Sequence, residues 1–153
     1  MNRIAFFLLS VAQPLTAQTL DSALLKTMET QLIKTGTTVT IDYVFYAHPE
    51  AIDPKNLVLL NTVLVFLKSR ETLSVELGCH TDCRGNAGYN KNLSLRRCVN
   101  LKDWFVQNGI STERLTAVGY GEEKTLVECP EQVCAKCTEA AHLKNRRVSI
   151  TFK

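Results

Sequence analysis

The residues most able to do chemistry sit in one run, Cys79-His80-Thr81-Asp82-Cys83-Arg84-Gly85. Two chemistries are open to it. Cys79, His80, Asp82 and Cys83 are all possible zinc ligands, and Cys134-x-x-Cys137 is a short chelating pair. Against a zinc site, no second Cys-x-x-Cys or His pair completes a four-ligand set, and no glutamate stands at a spacing for a general base. The other chemistry is recognition of a charged ligand. Asp82 follows a strand, and Asn90 and Arg97 lie seven residues apart on one face of the next helix. Arg97 adjoins the inward position Cys98, which sets its stem against the sheet and its guanidinium toward the Asp82 loop. A carboxylate and a planar guanidinium on one cleft match a zwitterion, one taking the ammonium and the other the carboxylate. Taken from spacing alone, the same pair fits a structural salt bridge equally well. No nucleophile–base pair is visible, so the expectation is a non-enzymatic binder with no catalytic residue, metal or cofactor.

The elements that must position these side chains follow from periodicity. Val39, Ile41, Tyr43 and Phe45 alternate with polar residues as a strand. Asp53-Pro54 is an N-cap with proline at the first helical position, opening a helix to about Lys68 that is apolar on most of its circumference and is expected deep in the core. Leu73, Val75 and Leu77 give a strand into Gly78. Ala87 to Gln107 reads as the longest helix, with Ser94, Cys98, Leu101 and Phe105 inward and Asn108-Gly109 at its end. Leu115 to Tyr120 and Arg147 to Phe152 complete the strands. The order β-α-β-α-β-β implies an α/β (α+β) sandwich, with helices on one face of a mixed sheet.

The 153 residues, 45% hydrophobic and 22% charged, suit one globular core. A net charge of +3 is too weak to indicate nucleic acid. Its distribution is uneven: 79–105 is net +3, 121–141 net −3 and 142–153 net +4, a pattern better fitted to a carboxylate-bearing ligand than to a polyanion. Arg3, the apolar run Ile4 to Val11 and the small residues to Ala17 read as a signal peptide, residues 1–17. An amphipathic helix, Asp21 to Lys34, lies in the segment 18–37, and 38–153 is one domain. No later segment reads as a transmembrane span, so the mature chain is expected to be exported and soluble.

Beyond the His-Thr-Asp run stand Tyr89-Asn90, Leu93-Ser94, Arg96-Arg97, Gly109-Ile110, Arg114-Leu115, Gly119-Tyr120-Gly121-Glu122 and Asn145-Arg146-Arg147. In this order and spacing the sequence resembles the OmpA-like C-terminal domain of bacterial envelopes, over about Val39 to Phe152. The resemblance implies non-covalent binding of peptidoglycan, through the diaminopimelate side chain of its stem peptide, in the periplasm or at the outer membrane. It assigns Asp82 to the ligand ammonium and Arg97 to its carboxylate, with Asn90, Thr81 and one of Arg146 or Arg147 in support. Outer-membrane proteins are implied as possible partners, and an adaptor role in an envelope assembly is the alternative function. His80 is expected to be structural, Gly85 to serve a tight turn, and Gly119 and Gly121 to permit close backbone packing.

The cysteines depart from the family pattern. Cys79 and Cys98 stand where small residues are usual, and Cys83 adjoins the ligand aspartate. Cys137-Thr138-Glu139 up to His142 resembles an insertion of Bacteroidetes-type members, in which a cysteine pair staples the loop. That implies Cys129 with Cys137, or Cys129 with Cys134. Six cysteines permit fifteen pairings, and spacing does not choose among them.

Overall fold

The computed structural model describes residues 36–42 and 52–153. The expected signal peptide, the Asp21 to Lys34 helix and the end of the first strand from Tyr43 lie outside them. Four strands form one sheet: β1 (Thr38–Asp42), β2 (Val75–His80), β3 (Leu115–Gly121) and β4 (Arg147–Phe152), in the order β1-β4-β2-β3. β4 pairs antiparallel with both β1 and β2, while β2 and β3 run parallel. The helices are α1 (Leu57–Ser69), α2 (Ala87–Gln107) and α3 (Glu139–Asn145). α3 was not anticipated from sequence; its seven residues are too short for a hydrophobic stripe to announce it. Thr138 opens it by accepting from Ala141 N at 3.2 Å.

Side chains alternate across the strands as their sequences dictate. Leu77, Val148, Ile150 and Phe152 are fully buried, and Phe152 meets Phe66 of α1 edge-on at 5.6 Å. Ser94, Cys98, Leu101 and Phe105 of α2 are likewise fully buried. α1 differs from the expectation. Leu60, Val63, Leu64, Phe66 and Leu67 are buried, but Val58, Leu59 and Val65 are exposed, because the sheet covers only one side of the helix.

Caps and charged side chains fix where elements start and stop. Asp53 Oδ1 accepts from Lys55 N at 3.0 Å, starting the 3-10 turn Pro54–Asn56 that leads into α1. Arg114 closes the other end of α1, donating to the carbonyls of Leu67 (2.9 Å) and Arg70 (2.7 Å) while its Nε reaches Leu73 O at 2.7 Å. The Leu67 and Arg70 carbonyls also accept from Arg70 N and Leu73 N in the turn that follows, so Arg114 adds a second donor at this helix end, and the Arg-Leu motif is structural here. Asn86 caps α2 by accepting from Gly88 N and Tyr89 N.

α2 lies directly against β3, and Gly119 is where they meet. A Cβ on Gly119 would stand 2.6 Å from Leu95 Cα and would also strike Leu95 N. Both are helix backbone atoms that cannot turn aside, so Gly119→Ala should cost about 3 kcal/mol of stability, at the upper end of overpacking effects. Urea unfolding measures it; a midpoint within error of the parent would show that α2 and β3 separate more readily than this.

Candidate functional site

β2 delivers the sequence-singled run to one end of the sheet. His80 ends the strand, and Thr81 N donates to Gly121 O at 2.9 Å, holding the start of the following loop to β3. His80 is 4% exposed, exchanges a hydrogen bond with Ser149 Oγ at 3.0 Å and stacks on Tyr120 with ring centres 5.0 Å apart. Burial, reinforced by Arg147 and Lys124, pushes its pKa down from 6.5 to about 4. A neutral, stacked imidazole suits a structural role.

Asp82 is the centre of the site, with only 7% of its side chain exposed. Its Oδ1 accepts from Arg84 N at 3.0 Å, a local turn that folds the loop back on the carboxylate. Its Oδ2 accepts from Arg84 Nη2 at 2.7 Å, Arg84 Nε at 3.1 Å and Arg146 Nη1 at 2.6 Å. His142 Nδ1, from α3, stands 3.8 Å from the same oxygen. Glu139 completes a four-membered charge ring, accepting from Arg84 Nη1 at 3.0 Å and Arg146 Nη2 at 2.8 Å.

Asn90 is buried and binds the loop from below. Its Nδ2 donates to Asp82 O (3.3 Å), Arg84 O (3.1 Å) and Glu122 Oε2 (2.6 Å). It therefore fixes the loop that carries Asp82. Gly85, at φ +106, makes the turn that L side chains resist. Thr81 is buried beside Asp82, and its Oγ1 has no hydrogen-bond partner among the described residues. Arg97 is half-buried on α2, two turns beyond Asn90, while the cations closing on Asp82 Oδ2 are Arg84 and Arg146.

The two closing arginines separate. Arg146 faces Asp82. Arg147 is buried and turned away, donating to Lys124 O at 2.8 Å and Asn145 O at 3.3 Å. Of the two candidates it is the one not brought to Asp82: as the first residue of β4 it pairs with Asp42 in register, and alternation points it away from its neighbour. Asn145 before them is also structural, since Oδ1 accepts from Leu126 N and Val127 N and Nδ2 donates to Val127 O. Arg84 and Glu139 are site residues that motif reading passed over. For Arg84 the signal was its charge two positions from the aspartate; Glu139, 55 residues further along, carried no local signal.

The structure forms three disulfides: Cys79–Cys98, Cys83–Cys134 and Cys129–Cys137. Of the two staples considered for Cys129, the structure forms the one to Cys137; Cys134 instead reaches Cys83 because the insertion folds back over the Asp82 loop. Cys79–Cys98 joins β2 to α2 inside the core. With every cysteine paired, the sulfur ligands of the zinc reading are held as disulfides. The insertion and the loop enclose an open cleft of about 600 Å³, lined by Cys83, Arg84, Cys134, Glu139 and His142. No helix among the described residues is long and apolar enough to cross a membrane.

Comparison with known proteins agrees with this architecture. The family model described as "OmpA family" matches residues 44–136. The chain is 32% identical over 115 residues to outer membrane porin F of Pseudomonas fluorescens, covering 75% of this chain and 33% of that one. It is 28% identical over 111 residues to the peptidoglycan-associated lipoprotein of Legionella pneumophila, covering 72% of this chain and 59% of the other. Among solved structures it resembles the peptidoglycan-associated lipoprotein of Burkholderia pseudomallei, with a TM-score of 0.63 at 21% identity over 80% of this chain and 92% of that one. It also resembles the cell wall anchor of the Pseudomonas aeruginosa type VI secretion system, with a TM-score of 0.65 at 20% identity over 84% and 94% of the two chains. The chain therefore spans a third to three-fifths of these sequence relatives and most of these structural ones, and it belongs to the OmpA family.

Proposed function

We propose that this chain binds peptidoglycan non-covalently in the bacterial envelope and does so without catalysis. The observation that carries the reading is Asp82: a carboxylate buried at the end of β2, on a loop fixed from below by Asn90, beside an open cleft. Such a group is preorganised to hold a cation, a place that Arg84 and Arg146 occupy in the structure. The ammonium of a diaminopimelate side chain supplies one, and Arg97 takes the adjoining carboxylate as a bidentate fork. Arg146, Asn90 and Thr81 support the contact. Family membership supports the same reading, because the relatives include peptidoglycan-associated lipoproteins, an outer membrane porin and a cell wall anchor. Export by the segment 1–17, and a place in the periplasm or at the outer membrane, belong to this proposal.

Sedimentation with purified sacculi tests it, alongside thermal melts of each variant. Asp82→Asn and Arg97→Lys should each weaken binding by about tenfold to a hundredfold, the worth of one charge-assisted hydrogen bond. Glu139 remains as a partner for both Arg84 and Arg146, so Asp82→Asn should still fold. Arg97→Lys keeps the charge and removes only the fork. If both variants melt normally and bind like the parent, the site is misassigned.

A further inference from the structure

We propose that Arg84 sets the ligand specificity of the Asp82 site, as an internal cation that an incoming ammonium must displace. The inference rests on the reading of Asp82 given above. A carboxylate offers about four acceptor positions. Asp82 has four donors already: Arg84 N on Oδ1, and Arg84 Nε, Arg84 Nη2 and Arg146 Nη1 on Oδ2. Three of the four crowd Oδ2, and with only 7% of the side chain exposed an ammonium reaches that oxygen by exchange rather than by addition.

The structure indicates which donor leaves. The Arg84 backbone N–H is fixed because the loop is held on two sides, by Asn90 on the carbonyls of Asp82 and Arg84 and by the Cys83–Cys134 disulfide. The Arg146 side chain is only 19% exposed and is also held by Glu139. The Arg84 side chain is 49% exposed and lines the open cleft. It can swing without moving backbone, and its departure frees two acceptor positions at once.

Exchange has a consequence for ligand class. A bare ammonium substitutes one cation for another and gains little. A ligand with a carboxylate beside its ammonium gives the displaced guanidinium a new partner, on the two acceptor positions that the Arg97 fork leaves open, while Glu139 Oε2, 3.0 Å from Nη1, keeps Arg84 at the cleft. The zwitterion inserts into the Asp82–Arg84 pair as a unit. Arg84 thus penalises a lysine-type side chain and spares a diaminopimelate-type one.

Two soluble stem tetrapeptides that differ only in that carboxylate, one with diaminopimelate and one with lysine at the third position, test this by calorimetry on the full chain. Arg84→Ala should bind the lysine peptide about two- to fivefold more tightly than the parent, the loss of one exposed ion pair, and should narrow the preference for the diaminopimelate peptide. Arg84→Lys, which retains a competing cation, should stay near the parent. In an Asp82→Asn background the Arg84→Ala effect should vanish. If Asp82→Asn weakens the diaminopimelate peptide but Arg84→Ala leaves the lysine peptide unchanged or weaker, Arg84 is no competitor and the inference falls. If Asp82→Asn binds like the parent, the site assignment itself is wrong.

Discussion

Replacing Cys83 and Cys134 together by serine should lower stability by about 4 kcal/mol, the loop-closure entropy of a cross-link spanning 51 residues. The same reasoning gives about 3 kcal/mol for Cys79–Cys98, across 19 residues, and about 2.5 kcal/mol for Cys129–Cys137, across 8. The ranking arises because the longest loop loses the most freedom in the unfolded chain. Cys83–Cys134 also forms a wall of the cleft beside Asp82, so its loss should weaken the proposed peptidoglycan binding at temperatures where the protein remains folded. Calorimetric melts of the three double variants measure the order. Non-reducing peptide mapping checks the pairing, and a Cys129–Cys134 peptide would overturn it.

Acidification from pH 7 to pH 4 should destabilise the protein by about 3 kcal/mol through His80 alone, at roughly 1.4 kcal/mol for each pH unit between its two pKa values. The direction follows from proton uptake. The folded pKa is about 4 against 6.5 for the free side chain, so between these values the unfolded chain binds a proton that the native state refuses. Stability from His80 is therefore fully present above 6.5 and lost as pH falls toward 4. His80→Gln retains a donor for Ser149 and has no titrating ring, so its urea midpoint should change less over this range. Equal pH slopes for the two proteins would show that the imidazole titrates normally. Glu76 acts in a lower window. Hydrogen bonds from Lys153 (2.7 Å) and Tyr120 (2.5 Å) hold its pKa below 4.5, so its contribution fades only in stronger acid.

Elements with clean periodicity were legible in the sequence. β4 alternates strictly, α2 carries an inward stripe, and Asp53-Pro54 marks a start, because burial on one face and capping leave local traces. The family motif located Asp82, but spacing could not show what surrounds it. Arg84 and Glu139 are 55 residues apart and meet only because the insertion folds over the loop. Arg146 and Arg147 are adjacent and identical in type, and only the boundary between the end of α3 and the start of β4 separates their roles. The cysteine pairings depended on the same long-range approach. α1 misled in the other direction: an apolar sequence looks buried all round, and only the one-sided sheet reveals that Val58 and Val65 face outward.

The position of β4 has a kinetic consequence. It follows every other described element along the chain, yet it lies between β1 and β2 in the sheet. Until residues 147–152 arrive, β1 has no partner strand among the described residues, and β2 and β3 form only a two-stranded parallel ribbon backed by α2. Thr38 must then find Thr151 across 113 residues. Closing so long a loop before any pairing energy is recovered should make folding slow and late, with the β1 edge joining after the β2–β4 hairpin of distant segments has set. Arg146 stands immediately before this strand, so the Asp82–Arg146 ion pair forms only once the C-terminal segment has docked.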